Sequence, residues 1–139
     1  MITKEYADFS WQQAEQLLSI DSPTGYTDYA ALWLKSSFEM LGFPASITTK
    51  GGILVDLGGE DADNGLMLAA HADTLGAMVA EVKGNGRLRL TPLGGMNPNN
   101  AEAENVRIYT RGGKVLEGTF QLCNASIHVN GDYNSAKRS

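Results

Sequence analysis

Leu66-Met67-Leu68-Ala69-Ala70 is an unbroken apolar run that follows a polar, glycine-bearing turn and stops at His71. The run is far shorter than the roughly 18 residues a membrane span requires. It is also too continuous for a strand with one wet face. It predicts a central strand covered on both sides, in a sheet of parallel type, and so an α/β fold class. Periodicity alone leaves a buried helical segment as the alternative. Before it, Ala45-Ser46-Ile47-Thr48-Thr49 alternates, Gly51-Gly52 turns, and Ile53-Leu54-Val55-Asp56-Leu57 reads as a half or fully buried strand.

Helices open the chain. Ser10-Trp11-Gln12-Gln13 fits a capping box, and Trp11, Ala14, Leu17 and Leu18 then fall on one helical face. Ser22-Pro23-Thr24-Gly25 breaks this helix, because proline restricts the residue before it and glycine loosens the turn. A further helix carries Ala30, Trp33, Leu34, Phe38 and Leu41 as an apolar stripe, closed by Gly42 with Pro44 soon after. The aromatic residues of both helices are expected in the core.

After Gly76 the pattern changes. Ala77 to Val82, Arg87 to Thr91, Val106 to Thr110, Val115 to Leu122 and Ser126 to Val129 read as strands. Gly84-Asn85-Gly86 and Gly112-Gly113 supply hairpin turns, and residues 94–100 form a longer loop. Regularly spaced short strands without helices suggest a small antiparallel barrel. The polar tail from Asn130 to Ser139 brings no closing strand, so the fold is expected to continue past the chain.

Charge and composition narrow the partners. The net charge is -5, and Lys83, Arg87, Arg89, Arg107, Arg111 and Lys114 are scattered rather than clustered. A nucleic-acid surface wants the opposite arrangement, so no nucleic acid partner is expected. No membrane partner is expected either. The start Met1-Ile2-Thr3-Lys4-Glu5-Tyr6 has no signal peptide's apolar stretch, and Cys123 is the one cysteine. Both features favour a reducing, cytoplasmic compartment. A compact chain of 139 residues buries about 70% of its unfolded surface, so a sizeable core is expected.

His71-Ala72-Asp73-Thr74-Leu75-Gly76 holds the chemistry. Open α/β sheets place ligand sites beyond the carboxyl ends of their strands, where His71 is expected to lie. A neutral imidazole is a good ligand for zinc or cobalt. In an extended segment Asp73 falls on the same side as His71 and can hydrogen-bond the second ring nitrogen, fixing its tautomer. Gly76 would let the backbone turn away from a crowded site. By spacing alone, a structural His–Asp pair is the alternative, since a catalytic zinc needs three protein ligands. His128, between Ile127 and Val129, reads as a solvent-facing strand residue. Asp56, Glu60, Asp61 and Asp63 sit in or beside a turn and read as solvated rather than as paired catalytic carboxylates.

In chain order, three segments resemble the glutamyl/leucyl aminopeptidase family of tetrahedral shell-forming metallopeptidases. They are Ser22-Pro23-Thr24-Gly25-Tyr26-Thr27, Lys50-Gly51-Gly52-Ile53-Leu54-Val55 and Ala70-His71-Ala72-Asp73-Thr74-Leu75-Gly76. The stretch from Glu104 to Lys114 is similar to that family's inserted domain. The order of the segments is more specific than any one of them.

The resemblance implies the N-terminal part of a mixed-sheet metallopeptidase domain over residues 1–76. Residues 77–139 would begin an inserted antiparallel β-barrel through which subunits assemble as a homo-oligomer. It also implies hydrolysis of N-terminal residues from peptides, by a water activated between two divalent metal ions, zinc or cobalt. His71 would bind one metal, and Asp73 would serve catalysis by orienting that histidine. Thr74 departs from the acidic residue often found after the aspartate. The family's bridging aspartate, paired glutamates, further aspartate and last histidine follow the inserted domain, and none of those positions occurs before Ser139. The 139-residue chain is therefore expected to be inactive alone, as the N-terminal portion of a longer aminopeptidase. The alternative is a non-catalytic binding or assembly module that keeps the peptidase fold. Apolar surface around Ile53 to Leu57 and Leu66 to Ala70 is expected to be uncovered, which favours association.

Overall fold

A computed structural model describes residues 3–61, 63–121, 126, 128 and 129. The elements are α1 (Lys4–Leu18), α2 (Asp28–Met40), β1 (Ala45–Ile47), β2 (Ile53–Val55), β3 (Gly76–Val82), β4 (Leu88–Leu93), α3 (Pro98–Ala101), β5 (Asn105–Tyr109) and β6 (Val115–Thr119). By contact the chain separates into Met1–Gly94 and Gly95–Ser139. Helices with small sheets agree with the α/β class expected from sequence.

Helix α1 starts earlier than the Ser10 capping box suggested. Thr3 is the N-cap, its hydroxyl accepting from the Tyr6 amide at 3.5 Å, and Glu5 lies in the first turn, where the helix dipole favours an acid. Ser10 and Gln13 are therefore interior helix positions. The apolar face expected on α1 is also largely wet: Trp11 is 75% and Leu18 71% exposed, while Leu17 is half-buried. The helix touches α2, and Gln13 and Leu17 are its half-buried positions, the narrow stripe expected of a helix that meets one neighbour.

Helix α2 anchors the first unit. Ala30 and Ala31 are buried, and Trp33, Leu34 and Phe38 are half-buried, as their helical spacing predicts. Leu41, the C-cap, departs from the stripe at 54% exposure. The helix ends in a Schellman arrangement. Gly42 takes φ 89°, its amide donates to Glu39 O at 3.0 Å, and the Phe43 amide donates to Phe38 O at 3.0 Å. Against α2 packs the antiparallel pair β1–β2, with Ala45 opposite Val55 and Ile47 opposite Ile53. Ile53 and Val55 are half-buried while Leu54 points outward, the period-2 signature of a strand covered on one face.

Two hairpins complete the regular structure. In β3–β4, Gly76 pairs with Leu93 and Val82 with Leu88, with a bulge between Val79 and Glu81. Arg89 Nε lies 3.1 Å from Glu81 Oε2 across the strands. Its turn is closed by the Lys83 amide on Arg87 O at 2.8 Å. In β5–β6, Asn105 pairs with Thr119 and Tyr109 with Val115, and Val106 and Ile108 share the half-buried face. Every ladder is antiparallel, and among the described residues the strands form three separate two-stranded sheets.

Three sequence expectations fail here. Leu66–Ala70 joins no ladder and lies open, with Leu66 87%, Met67 80% and Leu68 79% exposed. A central strand is defined by its neighbours, and no described segment lies beside this one to accept and donate its backbone hydrogen bonds. The strand expected at Ser126–Val129 is a turn at its described residues, closed by the Val129 amide on Ser126 O at 3.3 Å. Ile127, and Leu122 at the end of the preceding expected strand, lie outside the described residues, as does Cys123. The described residues do not form the sizeable core expected either. Among the described residues the buried set is Ala30, Ala31 and Ser22. Two-stranded pieces covered on one side have no second layer with which to close a core.

Candidate functional site

The link between residues 22–24 and 72–76 is a long-range backbone clasp of the first unit outside the sheets. Pro23 forms an isolated parallel bridge with Thr74. The Thr74 amide donates to Ser22 O at 2.8 Å, and Ser22 Oγ donates to Ala72 O at 2.9 Å. Ser22 is 1% exposed, so this polar side chain is buried with its hydrogen bond made. Pro23 suits the position because its fixed φ favours extended backbone and its missing N–H leaves no donor unmet. Gly25, at φ 86°, then reverses the chain, with the Tyr26 amide on Pro23 O at 2.7 Å.

Gly76 is needed here for a reason different from the one its sequence suggests. Its φ lies outside the left-handed region, and it opens β3 in regular pairing. A Cβ at this position would lie 2.5 Å from Pro23 Cβ. The missing side chain permits a close approach of two backbones rather than a sharp turn.

The clasp presents His71 and Asp73. His71 Nδ1 is 3.0 Å from Asp73 Oδ1 and 3.0 Å from the Asp73 carbonyl oxygen. Both partners are acceptors, so in the neutral ring the proton belongs on Nδ1 and the Nε2 lone pair is left available. The His71 side chain is 86% exposed. On the far oxygen of the carboxylate, Thr24 Oγ1 donates to Asp73 Oδ2 at 2.5 Å. That hydroxyl first, and then the His71 ring, holds the Asp73 carboxyl below the ordinary aspartate value, against a smaller upward push from desolvation. Hydrogen bonds to the charged form are thus the dominant cause.

The expected pairing of His71 with Asp73 is therefore present in geometry. The ring is not at the end of a paired strand, because Leu66–Ala70 has no ladder. His128 is exposed in a turn rather than on a strand. Among the described residues, no group of three His, Cys, Asp or Glu side chains comes together to hold a metal ion. The chemistry of the His71–Asp73 pair fits one oriented imidazole donor, and one donor falls short of the three protein ligands of a catalytic zinc site. Thr24 and Ser22 escaped sequence reasoning as parts of the site. Their hydroxyl chemistry was legible, but their partners lie 49 and 50 residues away.

Comparisons with known proteins agree with this arrangement of motifs. Residues 51–139 match the family M42 glutamyl aminopeptidase, and the chain belongs to that family. Over 125 residues it is 38% identical to the putative aminopeptidase YhfE of Bacillus subtilis (strain 168), covering 90% of this chain and 36% of the relative. A glutamyl aminopeptidase of Lactococcus lactis subsp. cremoris (strain MG1363) is 32% identical over 108 residues, 76% of this chain and 30% of the relative. A lysyl aminopeptidase of Pyrococcus furiosus is 39% identical over 49 residues, 35% of this chain and 14% of the relative. The chain thus spans about a third of the length of the first two relatives. Among the described residues, no helix is long and apolar enough to cross a membrane.

Proposed function

We propose that this chain is the N-terminal portion of a metal-dependent aminopeptidase that removes N-terminal residues from peptides in the cytoplasm. The observation that carries the reading is the His71–Asp73 pair. A carboxylate 3.0 Å from Nδ1 leaves Nε2 as a free donor on an exposed ring, the arrangement in which an outer acid orients a metal-binding histidine. The relatives named as aminopeptidases support the activity class.

In this reading His71 is one ligand of a two-metal centre of zinc or cobalt, and Asp73 holds its ring. Bound metal would lower the pKa of a water and polarise the scissile carbonyl. The remaining donors come from outside the described residues, among which no three gather. By the family resemblance those donors follow the inserted domain, and in this reading the 139 residues are inactive by themselves. The domain division proposed is 1–76 for the start of the catalytic domain and 77–139 for the start of an inserted β-barrel that joins subunits. The antiparallel hairpin β5–β6 supports the second part, while β3–β4 belongs to the contact unit Met1–Gly94. The alternative is a non-catalytic binding or assembly module that retains the peptidase fold.

Hydrolysis of aminoacyl-nitroanilides, measured with and without chelator, tests the proposal. The polypeptide purified from its source is expected to have an intact mass well above 14.9 kDa and a chelator-sensitive activity restored by zinc or cobalt. His71→Ala is expected to abolish that activity. Full activity in chelator would overturn the metal reading. Activity of the isolated 139 residues, lost on His71→Ala, would overturn the claim that they need further donors.

A further inference from the structure

We propose that Thr24 is a positioning residue for His71, acting through the far oxygen of Asp73. An aspartate carboxylate rotates freely about its last bond, because that torsion has broad minima. With Asp73 side chain 37% exposed, water competes for both oxygens. A single contact to His71 would therefore leave the carboxylate able to swing away. Thr24 Oγ1 donates to Oδ2 at 2.5 Å, while Oδ1 stands 3.0 Å from His71 Nδ1. Each oxygen has one anchor, and the carboxylate plane is set.

Thr24 is itself held. Pro23 beside it has a locked φ and a bridge to Thr74, and Ser22 before it is buried with its hydroxyl on Ala72 O. The hydroxyl, with one proton to give, finds an acceptor-only carboxylate in front of it. The chain of restraint runs from the buried Ser22–Pro23 clasp, through Thr24 and Asp73, to the imidazole tautomer. The inference deepens the reading of His71 as a metal donor, because only the Nδ1–H tautomer leaves Nε2 free to bind.

The test needs no metal and no activity. The protein is labelled with 15N-histidine and its imidazole nitrogens are observed at about pH 8.5, well above the ordinary histidine pKa of about 6.5. His128, exposed in a turn, serves as the internal comparison. His71 is expected as the Nδ1–H tautomer. Thr24→Val and Thr24→Ala should each lower the Nδ1–H to Nε2–H ratio by about fivefold, the net scale of one ordinary hydrogen bond, while Thr24→Ser restores it. Protection of the Thr74 amide, which donates to Ser22 O, should persist in all three. Unchanged His71 nitrogens in the valine and alanine variants would overturn the proposal. So would loss of Thr74 protection together with the tautomer change, since Thr24 would then hold the segment rather than the carboxylate. The metal-donor reading fails separately, on a chelator-insensitive aminopeptidase with His71 still in the Nδ1–H form.

Discussion

Pro23 sits so close to Gly76 that a Cβ at residue 76 would lie 2.5 Å from Pro23 Cβ. The contact packs the loop before α2 onto the start of β3, next to the segment that carries His71 and Asp73. Proline is a rigid neighbour, so a new methyl group there must push backbone apart.

Gly76→Ala is therefore expected to loosen the clasp by about 1–3 kcal/mol, the range for overpacking a fitted contact. Exchange of the Thr74 amide, bonded to Ser22 O at 2.8 Å, should quicken by roughly ten- to a hundredfold. Gly118→Ala is the control, since nothing lies within 4 Å of a Cβ there. An unchanged Thr74 rate in Gly76→Ala would show that the approach is not tight.

Ser22→Ala removes a different part of the same clasp. The buried hydroxyl donates to Ala72 O at 2.9 Å, and its loss should cost about 1 kcal/mol. Urea unfolding followed by α2 helicity checks this, with Ser22→Thr expected to fall between the two because the hydroxyl remains but a methyl enters a buried space.

Acid should release the contacts that Asp61 makes with Asp63 and Asn64. Asp61 is held below the ordinary aspartate value, first by the Asn64 side chain, with Nδ2 to Oδ2 at 2.8 Å, and then by the Asp63 amide at 2.9 Å. The folded-state pKa is depressed, so the stabilisation is present above the unfolded value of about 3.9. It is lost as pH falls through the lower folded value. Carboxyl NMR titration of Asn64→Ala should show the Asp61 pKa moving back up. A pKa unchanged by the substitution would rule out the side-chain contact as the main cause.

The open run Leu66–Leu68 should make the chain self-associate. These side chains are 79–87% exposed, consecutive, and on backbone without a ladder, a combination that invites pairing with other chains. Sedimentation velocity is expected to show concentration-dependent species above 14.9 kDa, reduced by Met67→Lys. A clean monomer at all concentrations would refute this.

The local readings that held were those whose cause is local. Gly42 ended α2 because a left-handed residue closes a helix, and the strands on either side of Gly51-Gly52 and the hairpin turns at Gly86 and Gly113 followed from glycine and strand chemistry nearby. The readings that failed needed a distant partner. Trp11 and Leu18 had the right spacing for burial, and Leu66–Ala70 had the composition of a central strand, but among the described residues no element covers the first two and none pairs with the third. His71 and Asp73 were legible as a pair because they are two residues apart, which an extended backbone brings to one side.

What the sequence conveyed alone was a mixture of helices and strands, the membership of an aminopeptidase family, and the pairing of His71 with Asp73. The first and last follow from residue types and short spacings, and the family membership from the resemblance of several segments in chain order. The tertiary structure decided which residues hold that pair: Ser22, Pro23 and Thr24 reach it across about 50 residues of chain. Gly76 took its meaning from Pro23 in the same way. Hydrogen bonds and close contacts between distant segments depend on where the chain returns in space, and linear spacing does not encode that return.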